Sequence, residues 1–129
     1  MEINQGNLYW IELEQPGDAE PGYPHPYVVI QEDAINHSRI DTVVVCALTS
    51  NLKQAHAPGN VLLEAGEGNL PRQSVVVVSK ISSVEKSRLG ESFGALTRPR
   101  IDQILAGMRF LQSLTGRRET GNNHSPVST

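Results

Sequence analysis

The sequence predicts one mainly β domain that ends in a single helix. Short runs rich in β-branched residues recur through the first two-thirds of the chain, and turns that contain Gly and Pro separate them. Short connections of this kind favour an antiparallel sheet that closes into a small β-barrel. Past residue 97 the apolar residues change to helical spacing. A length of 129 residues fits a single domain.

Five segments have the composition of strands, because each is rich in β-branched or aromatic residues and is bounded by turn residues. They are Asn7–Leu13, Tyr27–Gln31, Thr42–Leu48, Asn60–Glu64 and Ser74–Ser79. The third and fifth contain the valine runs Val43–Val45 and Val75–Val78. A run without polar alternation predicts burial on both faces, as expected where a sheet curls onto itself.

A helix is predicted after Thr97, which can cap its N-terminus, with Pro99 in the first turn. We expect its apolar stripe to pack on the sheet, and this stripe consists of Ile101, Ile104, Leu105, Met108 and Leu111. Gly116 is a suitable helix end, and the residues after it are almost entirely polar. We therefore assign a barrel domain to residues 1–116 and a disordered tail to residues 117–129.

Composition excludes several classes of protein. No apolar stretch approaches the roughly 18 residues that a membrane span needs. Met1–Gly6 has neither the basic nor the apolar region of a signal peptide, so we expect a cytoplasmic protein. The single cysteine, Cys46, lies within a predicted strand. It excludes an intrachain disulfide and a cysteine-based zinc site, and it predicts a small buried side chain.

Charge is unevenly distributed along the chain. The net charge of −3 argues against a protein that coats nucleic acid through bulk electrostatics. Residues 1–24 contain five acidic residues and no Lys or Arg, whereas residues 25–129 contain nine acidic residues and eleven Lys or Arg. A nucleic acid would therefore have to bind in a local groove formed by the second of these regions.

One histidine lies in a segment that restricts its backbone. Pro24 and Pro26 flank His25, and a following proline holds a residue in an extended conformation. Histidine can accept or donate a proton near neutral pH. From residue type alone, an inert turn histidine is the simpler interpretation. No closely spaced set of His, Asp and Glu predicts a metal site, and no glycine-rich loop before a helix predicts nucleotide binding.

Three segments together carry a resemblance to a known family. Leu48–Leu52 ends a β-branched strand in hydroxyl and amide groups, and Ala57–Leu63 and Gly66–Ser74 follow it in a characteristic order and spacing. With these segments the chain resembles the MazF/PemK family of toxin endoribonucleases, from about Gly6 to about Leu114. The resemblance implies an SH3-like β-barrel and cleavage of single-stranded RNA through its 2′-hydroxyl, without a metal or other cofactor.

The resemblance also implies a catalytic pair. Members of the family place an arginine before a proline at the position of His25 and a Thr or Ser at the position of Thr49, and both act on the scissile phosphate. Thr49 matches directly because its hydroxyl is present, whereas His25 departs from the arginine. Histidine is a better proton carrier than arginine but donates fewer hydrogen bonds. We therefore expect His25 to transfer protons and Thr49 to hold the phosphate.

Further residues correspond to positions at which the family binds RNA. The expected RNA-binding residues are Glu20, Tyr23, Ser50, Asn51, Lys53 and Lys80. Lysines can contact phosphates, and a tyrosine can stack on a base. The resemblance further implies a homodimer and a cognate antitoxin similar to MazE, whose acidic tail occupies the RNA groove.

Two alternatives stay open. The histidine in place of the family arginine at position 25 allows a catalytically weakened or silent RNA-binding module. A gyrase-poisoning toxin on the same barrel is a second alternative, and its function would depend on the end of the C-terminal helix. The predicted helix end at Ser113–Gly116, followed by a polar tail, disfavours that function.

Overall fold

The computed structural model describes residues 2–13 and 23–123, with side chains as far as Leu114. The fold is mainly β with a C-terminal helix, as predicted. The strands are β1 (Asn7–Ile11), β2 (His25–Val29), β3 (Thr42–Thr49), β4 (Val61–Leu63), β5 (Ser74–Glu85) and β6 (Gly94–Ala95), and the helices are α1 (Asp33–Asn36) and α2 (Arg98–Asn123). Short 3-10 turns cover Leu52–His56, Glu67–Asn69 and Lys86–Arg88.

The six strands form one antiparallel sheet in the order β4-β5-β3-β2-β1-β6, which curls into a half-barrel. Within the described residues, the edge strands β4 and β6 are not hydrogen-bonded to each other. The turn at Glu67–Asn69 lies against β6, where Asn69 Nδ2 donates to the Phe93 carbonyl at 2.9 Å. A Cβ at Gly94 would overlap the backbone of Gly68, so only glycine allows this close approach. The turn thus packs against the short edge strand.

Several element ends differ from the prediction. β1 and β4 are shorter than predicted, and β2 begins two residues earlier, at His25. β5 continues to Glu85 rather than ending at Ser79, because its second half pairs with the first half of β3. The sequence pattern does not predict α1 or β6, since four and two residues are too few to show a period.

Both faces of the sheet are buried, which confirms the interpretation of the valine runs. The cluster on one face packs under α2 and includes Leu8, Val28, Cys46, Leu48, Ile101, Ile104 and Met108. The cluster on the other face includes Tyr9, Tyr27, Val29, Val43, Val45 and Val84, with Ile3, Leu13 and Leu89 packed against it. Burying each large apolar side chain contributes about 2 kcal/mol, so two small cores stabilise the fold.

Helix α2 begins where predicted but ends later. It starts directly after Thr97, whose carbonyl accepts a hydrogen bond from the amide of Ile101 at 3.0 Å. The predicted end at Gly116 is wrong, because α2 continues to Asn123. A glycine inside a helix costs only about 1 kcal/mol and does not end it without further signals. Residues 117–123 of the predicted tail are therefore helical, and residues 124–129 lie outside the described residues.

An ion pair joins the start of α2 to the turn at Glu67–Asn69. The Arg100 guanidinium donates to both carboxylate oxygens of Glu67, at 2.9 and 2.8 Å. These hydrogen bonds lower the pKa of Glu67. A second ion pair, between Arg98 and Asp102 at 2.8 Å, lies within α2 itself. No helix in the described ranges is long and apolar enough to cross a membrane.

Candidate active site

The ends of β2 and β3 place His25 beside Thr49. The two strands pair with Tyr27 opposite Ala47 and Val28 opposite Cys46. Continuing this register by two residues puts His25, the first residue of β2, opposite Thr49, the last residue of β3. Opposed residues of an antiparallel pair project from the same face. The predicted convergence is therefore present: both side chains are half-buried, and both line the same two cavities.

Local hydrogen bonds orient the Thr49 hydroxyl. Its Oγ1 accepts a hydrogen bond from the amide of Asn51 at 3.2 Å, and Asn51 Oδ1 accepts one from the amide of Lys53 at 3.2 Å. These two bonds turn the chain from β3 into the 3-10 turn that follows. Since Oγ1 acts as the acceptor, the Thr49 hydroxyl hydrogen is left to donate to an incoming oxygen.

The first cavity, here called the small cavity, has a volume of about 210 Å³. Besides His25 and Thr49, its polar lining residues are Asn51, Gln54 and Lys80. Tyr27 and Ala47 form part of its apolar wall. The small cavity therefore opens on the sheet face that carries the Tyr27 cluster.

A bulge in β5 brings Lys80 to the small cavity. Between the pairs Cys46–Ile81 and Leu48–Val76 the register shifts, so that Ala47 faces the four residues 77–80. Side chains satisfy the freed backbone groups: Asn60 Oδ1 accepts from the amide of Val78 at 3.0 Å, and Cys46 Sγ donates to the carbonyl of residue 77 at 3.1 Å. Bulges redirect side chains in this way next to functional sites.

The second cavity, here called the large cavity, has a volume of about 410 Å³ and shares His25, Leu48 and Thr49 with the first. Trp10, Tyr23 and Arg72 line it, together with Pro24, Pro26, Ser50, Leu70, Pro71 and Ser74. Pro26 alternates along β2 with His25 and Tyr27 of the small cavity, and Leu70 belongs to the core cluster under α2 rather than to the Tyr27 cluster, so the two cavities open on opposite faces of the β2–β3 pair. We call the two cavities and the His25–Thr49 pair between them the strand-end trough.

Among the described residues, the charged side chains that line the strand-end trough are cations, although the whole chain is acidic. No Asp or Glu is among the described residues that line either cavity, whereas Lys80 lines the small one and Arg72 the large one. Both side chains are exposed, and no carboxylate of the described residues pairs with either. The described lining residues thus form a local groove for an anion. A nucleic acid that binds this acidic chain needs such a groove.

The structure brings most of the predicted site residues together. Tyr23 and Ser50 line the large cavity, and Asn51 and Lys80 line the small one. Lys53 lines neither cavity, so the geometry gives no support to its expected contact with RNA. Glu20 lies outside the described residues.

Several lining residues are missing from the sequence-based set, and Trp10, Gln54 and Arg72 are among them. Trp10 and Arg72 lie far from the catalytic motif in sequence, and only the folded sheet brings them to it. The one available signal is a cation, Arg72, that follows Pro71 and comes two residues before the buried strand that begins at Ser74.

Cys46 is a buried structural residue, as expected. Its side chain has no exposed surface, and burial raises the pKa of the thiol to about 12. A thiolate at that position is inaccessible at neutral pH. Among the described residues no group of three or more His, Cys, Asp or Glu side chains could hold a metal ion.

Comparison with known proteins identifies the family. A family profile described as PemK-like, MazF-like toxin of type II toxin-antitoxin systems matches residues 4–111. The chain belongs to this family. Among its relatives are Endoribonuclease MazF2 of Mycobacterium bovis and Endoribonuclease MazF6 of Mycobacterium tuberculosis. Each is 37% identical over 114 residues, which cover 88% of this chain and all of the relative.

Solved structures of MazF proteins share the fold. A mycobacterial endoribonuclease in complex with its cognate antitoxin aligns with a TM-score of 0.68 and 20% identity, covering 87% of this chain and 96% of that one. MazF from Deinococcus radiodurans aligns with a TM-score of 0.68 and 22% identity, covering 88% of this chain and 98% of that one. At these identities the structures support the MazF fold, while the sequence relatives support the family.

Proposed function

We propose that this MazF-family protein is the toxin of a type II toxin–antitoxin system and a metal-independent endoribonuclease that cleaves single-stranded RNA. The observation that carries the proposal is the strand-end trough, in which His25 and Thr49 lie together between two cavities that hold Lys80 and Arg72 and no carboxylate among the described lining residues. Such a trough fits a polyanion and supplies a proton carrier at its centre.

The reaction we assign to the trough is an internal transesterification. The 2′-oxygen of one nucleotide attacks its own 3′-phosphorus, and the bond from phosphorus to the 5′-oxygen of the next nucleotide breaks. His25 accepts the 2′-hydroxyl proton and returns a proton to the departing 5′-oxygen. The Thr49 hydroxyl and the Lys80 ammonium donate to the phosphate oxygens as their charge grows. The products are a 2′,3′-cyclic phosphate and a 5′-hydroxyl.

We further propose three properties that accompany this activity. The names of the relatives and of the solved complex support a cognate antitoxin similar to MazE as the partner. We expect the protein to act as a homodimer in which each subunit offers one His25–Thr49 pair. We also expect it to act in the cytoplasm, where messenger RNA is translated.

Cleavage of a long single-stranded RNA in excess chelator tests the proposal. We expect discrete fragments whose 5′-hydroxyl ends are labelled by polynucleotide kinase without phosphatase treatment and whose 3′ ends are cyclic phosphates. A 2′-deoxy substitution at the cut nucleotide should prevent cleavage. RNA that is bound but stays intact would instead identify the silent RNA-binding module, and fragments with 5′-phosphates would contradict the mechanism.

A variant at position 25 separates proton transfer from charge stabilisation. Restoring the family arginine with His25→Arg removes a proton carrier that works near neutral pH and adds a permanent multidentate donor. Slower cleavage by His25→Arg supports proton transfer by the imidazole. Equal or faster cleavage would show that charge stabilisation is the more important role at this position.

A further inference from the structure

The large cavity has a composition that the proposed chemistry does not require. Phosphate chemistry needs His25, Thr49 and a cation, and the small cavity already supplies Lys80. The large cavity adds an exposed tryptophan, an arginine without a carboxylate partner among the described residues, and a wall of prolines and leucines. Its volume of about 410 Å³ lies within the range of small-ligand sites.

Trp10 is fixed in position as a flat platform. Its ring stacks on Phe93, with centroids 5.0 Å apart and planes 24° apart, and 44% of the residue is still exposed. The backbone of Phe93 is held on both sides, because its amide donates to the Leu8 carbonyl at 2.9 Å and its carbonyl accepts from Asn69 Nδ2 at 2.9 Å. An aromatic ring held from behind loses little entropy when a base stacks on its free surface.

Arg72 provides a cation on a constrained segment. It lies between Pro71 and the start of β5, and its carbonyl accepts a hydrogen bond from the buried Ser74 hydroxyl at 2.9 Å. Its side chain is exposed and makes no ion pair with any described carboxylate. A guanidinium can bind a phosphate through two parallel hydrogen bonds.

We propose that the large cavity binds the nucleotide next to the scissile phosphate, with its base stacked on Trp10 and its outer phosphate held by Arg72. This subsite rests on the proposed ribonuclease function. Its described walls offer few groups that read base edges: Pro24, Pro26 and Pro71 have no amide donor, and the Ser74 hydroxyl donates to the Arg72 carbonyl. The hydroxyls of Tyr23 and Ser50 are left, and each offers only a single donor. The subsite therefore strengthens RNA binding and accepts any base, while sequence choice is made elsewhere.

Tryptophan fluorescence tests base stacking directly, since Trp10 is the only tryptophan in the chain. The probe is a short RNA that spans the mapped cleavage site and carries a 2′-deoxy group at the cut nucleotide. We expect saturable quenching on titration. Moving a single abasic residue along the probe should abolish the quenching at one nucleotide adjacent to the cut and leave it at the others.

Two substitutions with matched controls test the contacts. Arg72→Gln should weaken binding of the probe about tenfold and lower the slope of log affinity against log salt by about 0.7, as expected for one lost phosphate contact on a single strand. Arg39→Gln is the control, because Arg39 is exposed and lines neither cavity. Trp10→Leu should also weaken binding about tenfold, whereas Phe110→Leu on an exposed part of α2 should not.

The outcomes separate this subsite from the ribonuclease proposal. If the protein cleaves RNA but the probe leaves Trp10 fluorescence unchanged and Arg72→Gln behaves like Arg39→Gln, the subsite is wrong and the ribonuclease stands. If the protein neither binds nor cleaves any RNA, the ribonuclease proposal itself fails. A strong preference for one base at the abasic-sensitive position would overturn the claim that the subsite does not select bases.

Discussion

The strand-end trough and the N-terminal part of α2 differ in how their cations are paired. Arg100 is bound at both carboxylate oxygens of Glu67, and Arg98 is paired with Asp102. Arg72 and Lys80 have no carboxylate partner among the described residues, although all four cations lie within one small domain. The Arg100–Glu67 pair joins α2 to the turn at Glu67–Asn69, and the Arg98–Asp102 pair lies within α2, whereas the unpaired cations keep their charge for a ligand. The comparison predicts that substitutions in the two regions affect different measurements.

The largest effect is expected at the centre of the trough. His25→Ala and Thr49→Ala should each lower the rate of RNA cleavage at least 100-fold, about 2.7 kcal/mol in activation free energy, because each removes a group at the reacting phosphate. Neither should lower the melting temperature measurably, since both side chains lie at the rim of the sheet. A normal cleavage rate in His25→Ala would contradict the proton-transfer role.

The next effect is expected where Gly107 of α2 packs against Gly59. A substitution there should lower the stability of the fold and leave RNA cleavage unchanged. A Cβ at Gly107 would overlap the carbonyl of Gly59, and backbone atoms cannot move aside cheaply. Gly107→Ala should therefore lower the free energy of unfolding by about 2 kcal/mol and the melting temperature by about 7 °C, despite the better helix propensity of alanine. Gly90→Ala, where nothing lies within 4 Å, is the control. Equal melting temperatures for the two variants would show that α2 is packed less tightly here.

Lys80 and Lys53 are both expected from sequence to bind RNA, but their substitutions should have different effects on RNA affinity. Lys80 lines the small cavity and Lys53 lines neither cavity. Lys80→Gln should weaken RNA binding about fivefold and lower its salt dependence, whereas Lys53→Gln should change neither by more than about twofold. The measurement is a filter-binding or anisotropy titration at several salt concentrations. The reverse order of effects would place the RNA path over the 3-10 turn at Leu52–His56 instead of the bulge.

The smallest effect concerns the ion pair between Glu67 and Arg100. The pair is partly exposed, with about a quarter of each side chain accessible, so Glu67→Gln should cost about 1 kcal/mol of stability. Hydrogen bonds from Arg100 lower the pKa of Glu67 in the folded protein below its usual value of 4.5. The contribution is therefore complete above about pH 4.5 and is lost as the pH falls through the lowered folded value.

Chemical denaturation of the native protein and of Glu67→Gln at several pH values measures the contribution of this ion pair to stability. The gap in stability between the native protein and Glu67→Gln should shrink as the pH falls below 4.5 and be constant above about pH 6. Asp102→Asn is the matched comparison, because the Arg98–Asp102 pair is more than half exposed and should contribute only about 0.4 kcal/mol. A larger loss in Asp102→Asn than in Glu67→Gln would contradict the account of paired cations.

The fold could be predicted from sequence because its strands have unbroken apolar runs. Val43–Val45 and Val75–Val78 indicate strands that are buried on both faces, and the helical stripe from Ile101 to Leu111 is equally clear. The end of α2 could not be predicted, since Gly116 allows a helix to end but does not force it to. The two-residue β6 depends on its pairing with β1 and on the close approach of Gly94 to Gly68, which no local pattern shows.

The candidate site could be predicted only in part, for a similar physical reason. His25 and Thr49 lie at strand ends that turn chemistry and family resemblance identify. Lys80 reaches the small cavity because of the β5 bulge, and Trp10 and Arg72 reach the large cavity because β1 and the start of β5 lie near the β2–β3 end. These are contacts between distant parts of the chain, so local sequence carries almost no information about them.

The position of His25 and Thr49 at the very end of two strands has a consequence for the shape of the substrate. Because the cavities open on opposite faces of the β2–β3 pair, an RNA strand that reaches both of them must bend around the strand ends. A paired RNA stem keeps its bases stacked and cannot follow that path. The folding of a transcript into stems and loops would then decide which of its sites can be reached, whatever their sequence.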